Sequence, residues 1–158
     1  MPAERPKRVD FASKIIKASP QKLYPALVDQ KALLAWLPPH GMKGEFQEFE
    51  PRAGGRYVMT LSYESAEHTP GKSSEHSDVV RGQFAELVPN VRVVQLIDFE
   101  SDDPAFAGTM KMTWALASVA QGTEVSITCE NVPDGVSEAD HAVGLASSLN
   151  NLAAFVER

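Results

Sequence analysis

Cysteine is nearly absent from this sequence of 158 residues, in which Cys129 stands alone. A single cysteine cannot form an intramolecular disulfide, and the neighbouring Ser126, Ile127 and Thr128 provide no metal-ligand or redox spacing. The disulfide-stabilised scaffolds of small secreted proteins are therefore excluded, and a reducing compartment fits the chain best.

Long hydrophobic runs are missing as well. No stretch of eighteen apolar residues occurs, which excludes a typical membrane-spanning helix. The first twenty residues contain Pro2, Glu4, Pro6 and Asp10 without an apolar core, so they do not form a secretory signal. We therefore expect a cytoplasmic protein that does not insert into membranes.

Positive charge is scarce. Fifteen Lys and Arg against 21 Asp and Glu give a formal net charge of -6, so the chain as a whole repels a phosphate backbone. The four histidines show neither HxxxH nor HExxH spacing; they are His40, His68, His76 and His141. We expect no nucleic-acid partner, no metal site and no cofactor.

The remaining composition suits one domain, because a chain of this length with 43% hydrophobic residues can bury a substantial core. We assign one domain to residues 8–158, after a short extension at residues 1–7. A strand is predicted over residues 9–18. Ser19 and Pro20 then predict a helix with Ser as N-cap and Pro in its first position, and Asp29 can cap a second short helix.

Six further strands are predicted between turn residues such as Gly54-Gly55 and Gln121-Gly122. In two of these strands apolar and polar residues alternate, so each of the two has one apolar face. That face carries Tyr57, Met59, Leu61 and Tyr63 in one strand and Met110, Met112, Trp114 and Leu116 in the other. The strands cover residues 43–50, 56–63, 81–88, 92–100, 109–119 and 123–131, and neighbours in sequence should pair antiparallel.

The last segment predicts a long amphipathic helix. Its start is marked by a capping-box pattern, Ser137-Glu138-Ala139-Asp140. One stripe of the helix carries Ala142, Leu145, Leu149, Leu152 and Val156, with His141 and Ser148 at its edge. This stripe must cover the apolar face of the sheet, and a curved sheet closed by one helix often leaves a pocket.

Several motifs in this order resemble the SRPBCC, or START-like, superfamily, and specifically the branch named after the activator of the heat-shock-protein-90 ATPase. The resemblance extends over almost the whole chain. The matching segments are Ala18-Ser19-Pro20 with Leu23-Tyr24-Pro25-Ala26-Leu27 and Asp29, Leu34-Ala35-Trp36-Leu37-Pro38-Pro39 with Gly41-Met42, Glu50-Pro51-Arg52-Ala53-Gly54-Gly55-Arg56-Tyr57, Gly82-Gln83-Phe84-Ala85-Glu86-Leu87-Val88-Pro89, Met112-Thr113-Trp114, Gly122-Thr123-Glu124-Val125 and the closing residues 141–152.

The resemblance implies an α+β helix-grip fold. In this fold a seven-stranded antiparallel sheet wraps around a long C-terminal helix, two short helices follow the first strand, and an internal cavity takes lipids or other hydrophobic molecules. The sequence departs from the family at one place: the closing motif usually resembles His-x-x-Gly-Trp, whereas here Leu145 follows Gly144. The bulky Trp that would fill or cap the pocket is therefore replaced.

The candidate ligand-binding residues are apolar or aromatic side chains on elements expected to face this cavity, together with one histidine. The same pattern is typical of ordinary core residues, so the sequence does not separate cavity lining from core. The candidates are Trp36, Tyr57, Met59, Met110, Met112, Trp114, His141, Leu145 and Leu149. His141 could instead close a structural hydrogen bond between helix and strand.

Three functions follow as hypotheses. The first is a carrier or sensor that binds a hydrophobic or lipid-like small molecule, in metabolism or in a stress response. The second is an enzyme similar to polyketide cyclases or hydrolases, which would use His141 or Tyr57 as an acid or base in the same cavity. The third, suggested only by the family name, is a module that interacts with a chaperone. A catalytic nucleophile has little support, since no Gly-x-Ser-x-Gly elbow occurs.

The outer face of the sheet gives a further expectation. Val58, Val80 and Val94 could make that face partly apolar, and such a face could form a homodimer.

Overall fold

The computed structural model describes residues 8–38, 42–63, 77–99 and 108–157, and the expected extension at residues 1–7 lies outside these ranges. In these ranges a strand and two short helices come first, six strands follow, and a long helix comes last. The elements are β1 (Val9–Ile16), α1 (Pro20–Val28), α2 (Gln30–Trp36), β2 (Met42–Phe49), β3 (Arg56–Tyr63), β4 (Ser77–Val88), β5 (Arg92–Phe99), β6 (Thr109–Val119), β7 (Gly122–Glu130) and α3 (Glu138–Val156).

The strands form a single antiparallel sheet in the order β1-β7-β6-β5-β4-β3-β2. Each strand from β2 to β7 pairs with its neighbours in sequence, while β1 returns to pair with β7. Gly122 at the β6–β7 turn has φ 145°, and a Cβ there would lie 2.2 Å from the carbonyl oxygen of Ile16. Only glycine allows β1 to pass so close to this turn.

All three helices begin at the residues expected from the sequence. The side chains of Ser19, Asp29 and Ser137 accept hydrogen bonds from backbone N–H groups in the first turns of α1, α2 and α3. These caps satisfy N–H groups that have no partner within the helix. The predicted order, seven strands with two short helices after the first strand and one long helix at the end, is confirmed.

The core lies between the concave face of the sheet and the three helices. Leu145, Leu149, Leu152 and Val156 form the buried stripe of α3, as predicted. Ala142 was expected on this stripe but is exposed.

Two other expectations are corrected by the pairing of the strands. Strand β4 begins at Ser77, four residues earlier than predicted, since residues 77–80 continue the ladder with β3. Val80 was expected on the outer face, but it pairs with Met59 and faces inward with it. Of the three valines considered for a dimer surface, Val58 and Val94 stay on the outer face, but Val94 is only 7% exposed there, while Val58 is half-buried.

Candidate functional site

A cavity of about 450 Å³ lies between the concave face of the sheet, helix α2 and the first half of α3. Most of its wall is apolar. Eight of the nine candidate residues lie in this wall, namely Trp36, Tyr57, Met59, Met110, Met112, Trp114, His141 and Leu145. The ninth, Leu149, is 1% exposed and packs in the hydrophobic core beyond the cavity.

Two tryptophans form one side of the wall. The indole rings of Trp36 on α2 and Trp114 on β6 meet edge to face, with centroids 5.6 Å apart. The indole N–H of Trp36 donates to the carbonyl oxygen of Ala26 at 2.9 Å, and that of Trp114 lies 3.2 Å from the sulfur of Met112. Both N–H groups are thus occupied, and the rings contribute apolar surface to the cavity.

Tyr57 on β3 is held by its neighbours in the sheet. Its hydroxyl donates to Oε1 of Gln95 at 2.9 Å. Its ring lies over Gly82 on β4, where a Cβ would come within 2.1 Å of the ring carbon Cζ. Burial raises the pKa of the Tyr57 hydroxyl well above its ordinary value, so it stays protonated and donates to Gln95.

His141 belongs to a group of three polar side chains at the other side of the wall. Its Nδ1 lies 2.5 Å from Oδ2 of Asp10 on β1. Arg8 donates to both oxygens of the same carboxylate, at 2.7 and 3.1 Å, and also to the carbonyl oxygen of Val136. The side chains of Asp10 and His141 are only 9% and 14% exposed. This group ties β1 to the start of α3.

The negative charge of Asp10 makes Nδ1 of His141 a hydrogen-bond donor. The hydrogen bonds from Arg8 lower the pKa of the Asp10 carboxyl, burial opposes this, and the hydrogen bond from His141 lowers it again. An ionised carboxylate can only accept hydrogen bonds, so Nδ1 of His141 carries a proton and donates. The structural alternative for His141, a hydrogen bond between helix and strand, is therefore realised, while the imidazole also lies in the cavity wall.

Eleven lining residues were not among the candidates, including Gln95, Gly144 and Ser148. Arg8 and Asp10, which hold His141 in place, were not candidates either. Gln95 had a signal in the sequence, because it is a polar residue between the inward-facing Val93 and Ile97. Gly144 and Ser148 had one too, since they follow His141 by three and seven residues and so share its helix face. Asp10 had no such signal, because its contact with His141 joins residues 131 positions apart.

Cys129 does not contribute a reactive thiol. Its side chain is buried beside Asp10 on the neighbouring strand. Burial, together with the negative charge of Asp10, raises the pKa of the thiol to about 12. Because the thiolate is the reactive form, Cys129 is inert in the folded protein.

Within residues 8–38, 42–63, 77–99 and 108–157, no three His, Cys, Asp or Glu side chains come together as a metal site. His40, His68 and His76 lie outside these ranges. No helix in the described part of the chain is long and apolar enough to cross a membrane.

The family is decided by the sequence match. A family model described as "Activator of Hsp90 ATPase homolog 1-like protein" matches residues 17–157. The chain belongs to this family. The AHSA1-like branch of the SRPBCC, or START-like, superfamily and its helix-grip fold, both expected from the sequence motifs, are thereby confirmed. No curated protein shows significant similarity to the sequence.

Solved structures of similar proteins agree with this assignment. A protein from Chromobacterium violaceum is 31% identical, with a TM-score of 0.82 over 95% of this chain and 98% of that chain. A protein from Mesorhizobium loti is 20% identical, with a TM-score of 0.74 over 96% and 98% of the two chains. An AHSA1-like protein from Aeromonas hydrophila is 16% identical, with a TM-score of 0.75 over 95% and 92%. The helix-grip architecture is thus shared over nearly the whole chain.

Proposed function

We propose that this AHSA1-like protein binds a hydrophobic small molecule in its cavity, as a carrier or sensor. The observation that supports the proposal is the cavity itself: about 450 Å³, with a mostly apolar wall. Ligand pockets commonly measure about 300–1,000 Å³ and combine apolar walls with a few polar groups. A cavity this large, several times the volume of a water molecule, gives up the packing that the same side chains would gain in a filled core.

The composition of the wall suits an apolar ligand. Met59, Met110 and Met112 are flexible side chains that adapt to irregular apolar shapes, and the rings of Trp36 and Trp114 offer flat surfaces. Among the described residues, no Lys or Arg lies in the wall. An anionic ligand would therefore lose its hydration without gaining a cationic partner.

Gly144 marks where the cavity reaches the surface. It lines the cavity, yet it is exposed, and a Cβ placed on it would meet no atom within 4 Å. Because the Cβ position is unobstructed, we expect a large side chain at this position to occupy the cavity mouth. The variant Gly144→Phe should consequently exclude a ligand while the fold is kept.

The test is binding of hydrophobic molecules by native mass spectrometry and thermal shift, with a panel of fatty acids, aromatic hydrocarbons and phenols. We expect at least one class to bind the wild-type protein with a stoichiometry of one, and Gly144→Phe to lose that binding. Gly144→Ala is the matched control: it should bind like wild type and be more stable by up to about 1 kcal/mol, since alanine favours a helix interior over glycine. Failure of every class to bind, or unchanged binding by Gly144→Phe, would contradict the proposal.

The hydrogen bond between His141 and Asp10 favours the cyclase-like or hydrolase-like enzyme as the second candidate. A histidine oriented by a carboxylate is a common acid–base arrangement, and this one borders the cavity. If the protein is such an enzyme, a bound polyketide-like substrate should be converted by wild type and not by His141→Asn. Recovery of the bound molecule unchanged from the wild-type protein would favour the carrier or sensor.

The other expectations stay predictions. A chaperone partner rests on the family name, and retention of the cognate chaperone in a pull-down is its test. The homodimer rests on Val58 and Val94 of the outer face, and sedimentation will decide it. The cytoplasmic location rests on the single cysteine.

A further inference from the structure

Among the described residues, some polar groups of the cavity wall already form hydrogen bonds within the protein, and others do not. The indole N–H groups of Trp36 and Trp114 have partners, and the side chains of Tyr57 and Gln95 are joined to each other. His141 uses Nδ1 for Asp10. Within the described residues, no hydrogen-bond partner of its Nε2 is found.

The state of that nitrogen follows from the hydrogen bond on the opposite side of the ring. In neutral imidazole one nitrogen carries the proton and the other has a free lone pair. In the neutral ring, Nδ1 is the nitrogen that donates to the Asp10 carboxylate, and Nε2 is then the nitrogen with the lone pair. The double contact from Arg8 holds the carboxylate in place and balances its charge, so the orientation of the imidazole is fixed and the neutral ring has Nε2 available as an acceptor.

We propose that the cavity selects apolar molecules that carry a neutral hydroxyl of phenol or enol type, and that this hydroxyl donates its hydrogen to Nε2 of His141. Asp10 is a positioning residue, which sets the tautomer of His141. The inference rests on the proposed binding function and adds to it the chemical class of the ligand.

The surroundings of His141 favour a neutral hydroxyl over other polar groups. A carboxylate has only acceptor atoms, so it would face the lone pair of Nε2 with no cationic side chain in the described wall to balance it. An ether or a ketone also has no hydrogen to donate. Ser148 lies seven residues further along α3, about 10 Å along the helix axis, so one small hydroxyl at His141 does not reach it.

Matched naphthalenes provide the test. The affinities of 2-naphthol, 2-methoxynaphthalene and 2-naphthoate are measured by calorimetry with the full chain. The first two have nearly the same apolar body, and only the first can donate a hydrogen bond. We expect 2-naphthol to bind about tenfold tighter than 2-methoxynaphthalene, the usual effect of one buried hydrogen bond, and 2-naphthoate to bind more weakly than either.

The variant His141→Asn distinguishes the contribution of Nε2 from that of Nδ1. Its amide N–H₂ can replace Nδ1 as the donor to Asp10, while nothing replaces Nε2. This variant should lose the preference for 2-naphthol over 2-methoxynaphthalene. Nitrogen-15 NMR of the wild-type imidazole gives an independent reading: Nδ1 should carry the proton, and the Nε2 resonance should shift when 2-naphthol is added but not when 2-methoxynaphthalene is added.

The outcomes distinguish this inference from the function on which it rests. Equal affinity of wild type for 2-naphthol and 2-methoxynaphthalene, a preference that survives in His141→Asn, or a proton on Nε2 would overturn the hydroxyl selectivity and leave the binding function standing. If neither naphthalene nor any molecule of the wider panel binds, the binding function fails and the selectivity fails with it.

Discussion

The close approach of Gly82 to Tyr57 leads to a prediction about stability. In the structure, a Cβ on Gly82 would lie 2.1, 2.3 and 2.4 Å from three distal atoms of the tyrosine side chain, Cζ, the hydroxyl oxygen and Cε2. The variant Gly82→Ala must therefore push the ring away from β4. The backbone of Gly82 is ordinary strand with negative φ, so alanine meets no obstacle apart from this ring.

The magnitude follows from two effects. Overpacking a core by one methyl group costs about 1–3 kcal/mol, and loss of the hydrogen bond from Tyr57 to Gln95 costs about 1 kcal/mol. We expect Gly82→Ala to lower the free energy of unfolding by about 2–4 kcal/mol. Urea denaturation followed by tryptophan fluorescence measures the change.

A double-mutant cycle isolates the cause. Leucine at position 57 lacks Cζ, Cε2 and the hydroxyl, so in a Tyr57→Leu background the alanine has no ring to displace. There Gly82→Ala should cost less than about 1 kcal/mol or even stabilise, since alanine is otherwise preferred to glycine in a strand interior. An equal cost in both backgrounds would refute the reasoning.

Two further predictions concern ionisable groups. Since the hydrogen bonds from Arg8 lower the pKa of Asp10, this carboxylate stabilises the fold above its unfolded pKa of about 3.9 and loses that contribution as the pH falls through the lower folded value. The free energy of unfolding, measured with urea between pH 6 and pH 2, should thus fall more steeply below pH 4 for wild type than for Asp10→Asn. Parallel curves for the two proteins would contradict this. Because burial raises the pKa of Cys129 to about 12, iodoacetamide should leave the native protein unlabelled at pH 8 and label it in 6 M urea. Rapid labelling of the native protein would show that the thiol is accessible.

Local patterns determined most of the architecture before any tertiary contact was known. Ser19, Asp29 and Ser137 predicted three helix starts because a cap depends only on residues within one turn. The alternation of β3 and β6 predicted which side chains face inward, since the period of two is a property of the strand itself. The resemblance carried by the motifs supplied the seven-stranded sheet around the long helix, whereas the pairing of β1 with β7 is given only by the structure.

The local patterns did not determine the face of every residue, and strand pairing supplied this information. Val80 was assigned to the wrong face because the predicted strand began only at Arg81, and its pairing with Met59 places it inside. The position of Leu149 shows the related limit: its pattern is the same as that of Leu145, yet the first packs in the core and the second borders the cavity. A core residue faces other side chains, whereas a residue of the cavity wall faces empty space. The sequence of one helix does not say which of the two lies opposite a given residue.

By itself the sequence determined the elements, most of their faces, the family and a set of inward-facing candidates, since these follow from spacing along one segment or from motifs in order. The cavity volume, the contact of Tyr57 with Gly82 and the group formed by Arg8, Asp10 and His141 were decided by the tertiary structure. Each of these joins residues distant in the chain. The physical reason is that a hydrogen bond between β1 and α3, or an unfilled space between sheet and helix, depends on the relative positions of whole elements. A local sequence pattern does not determine those positions.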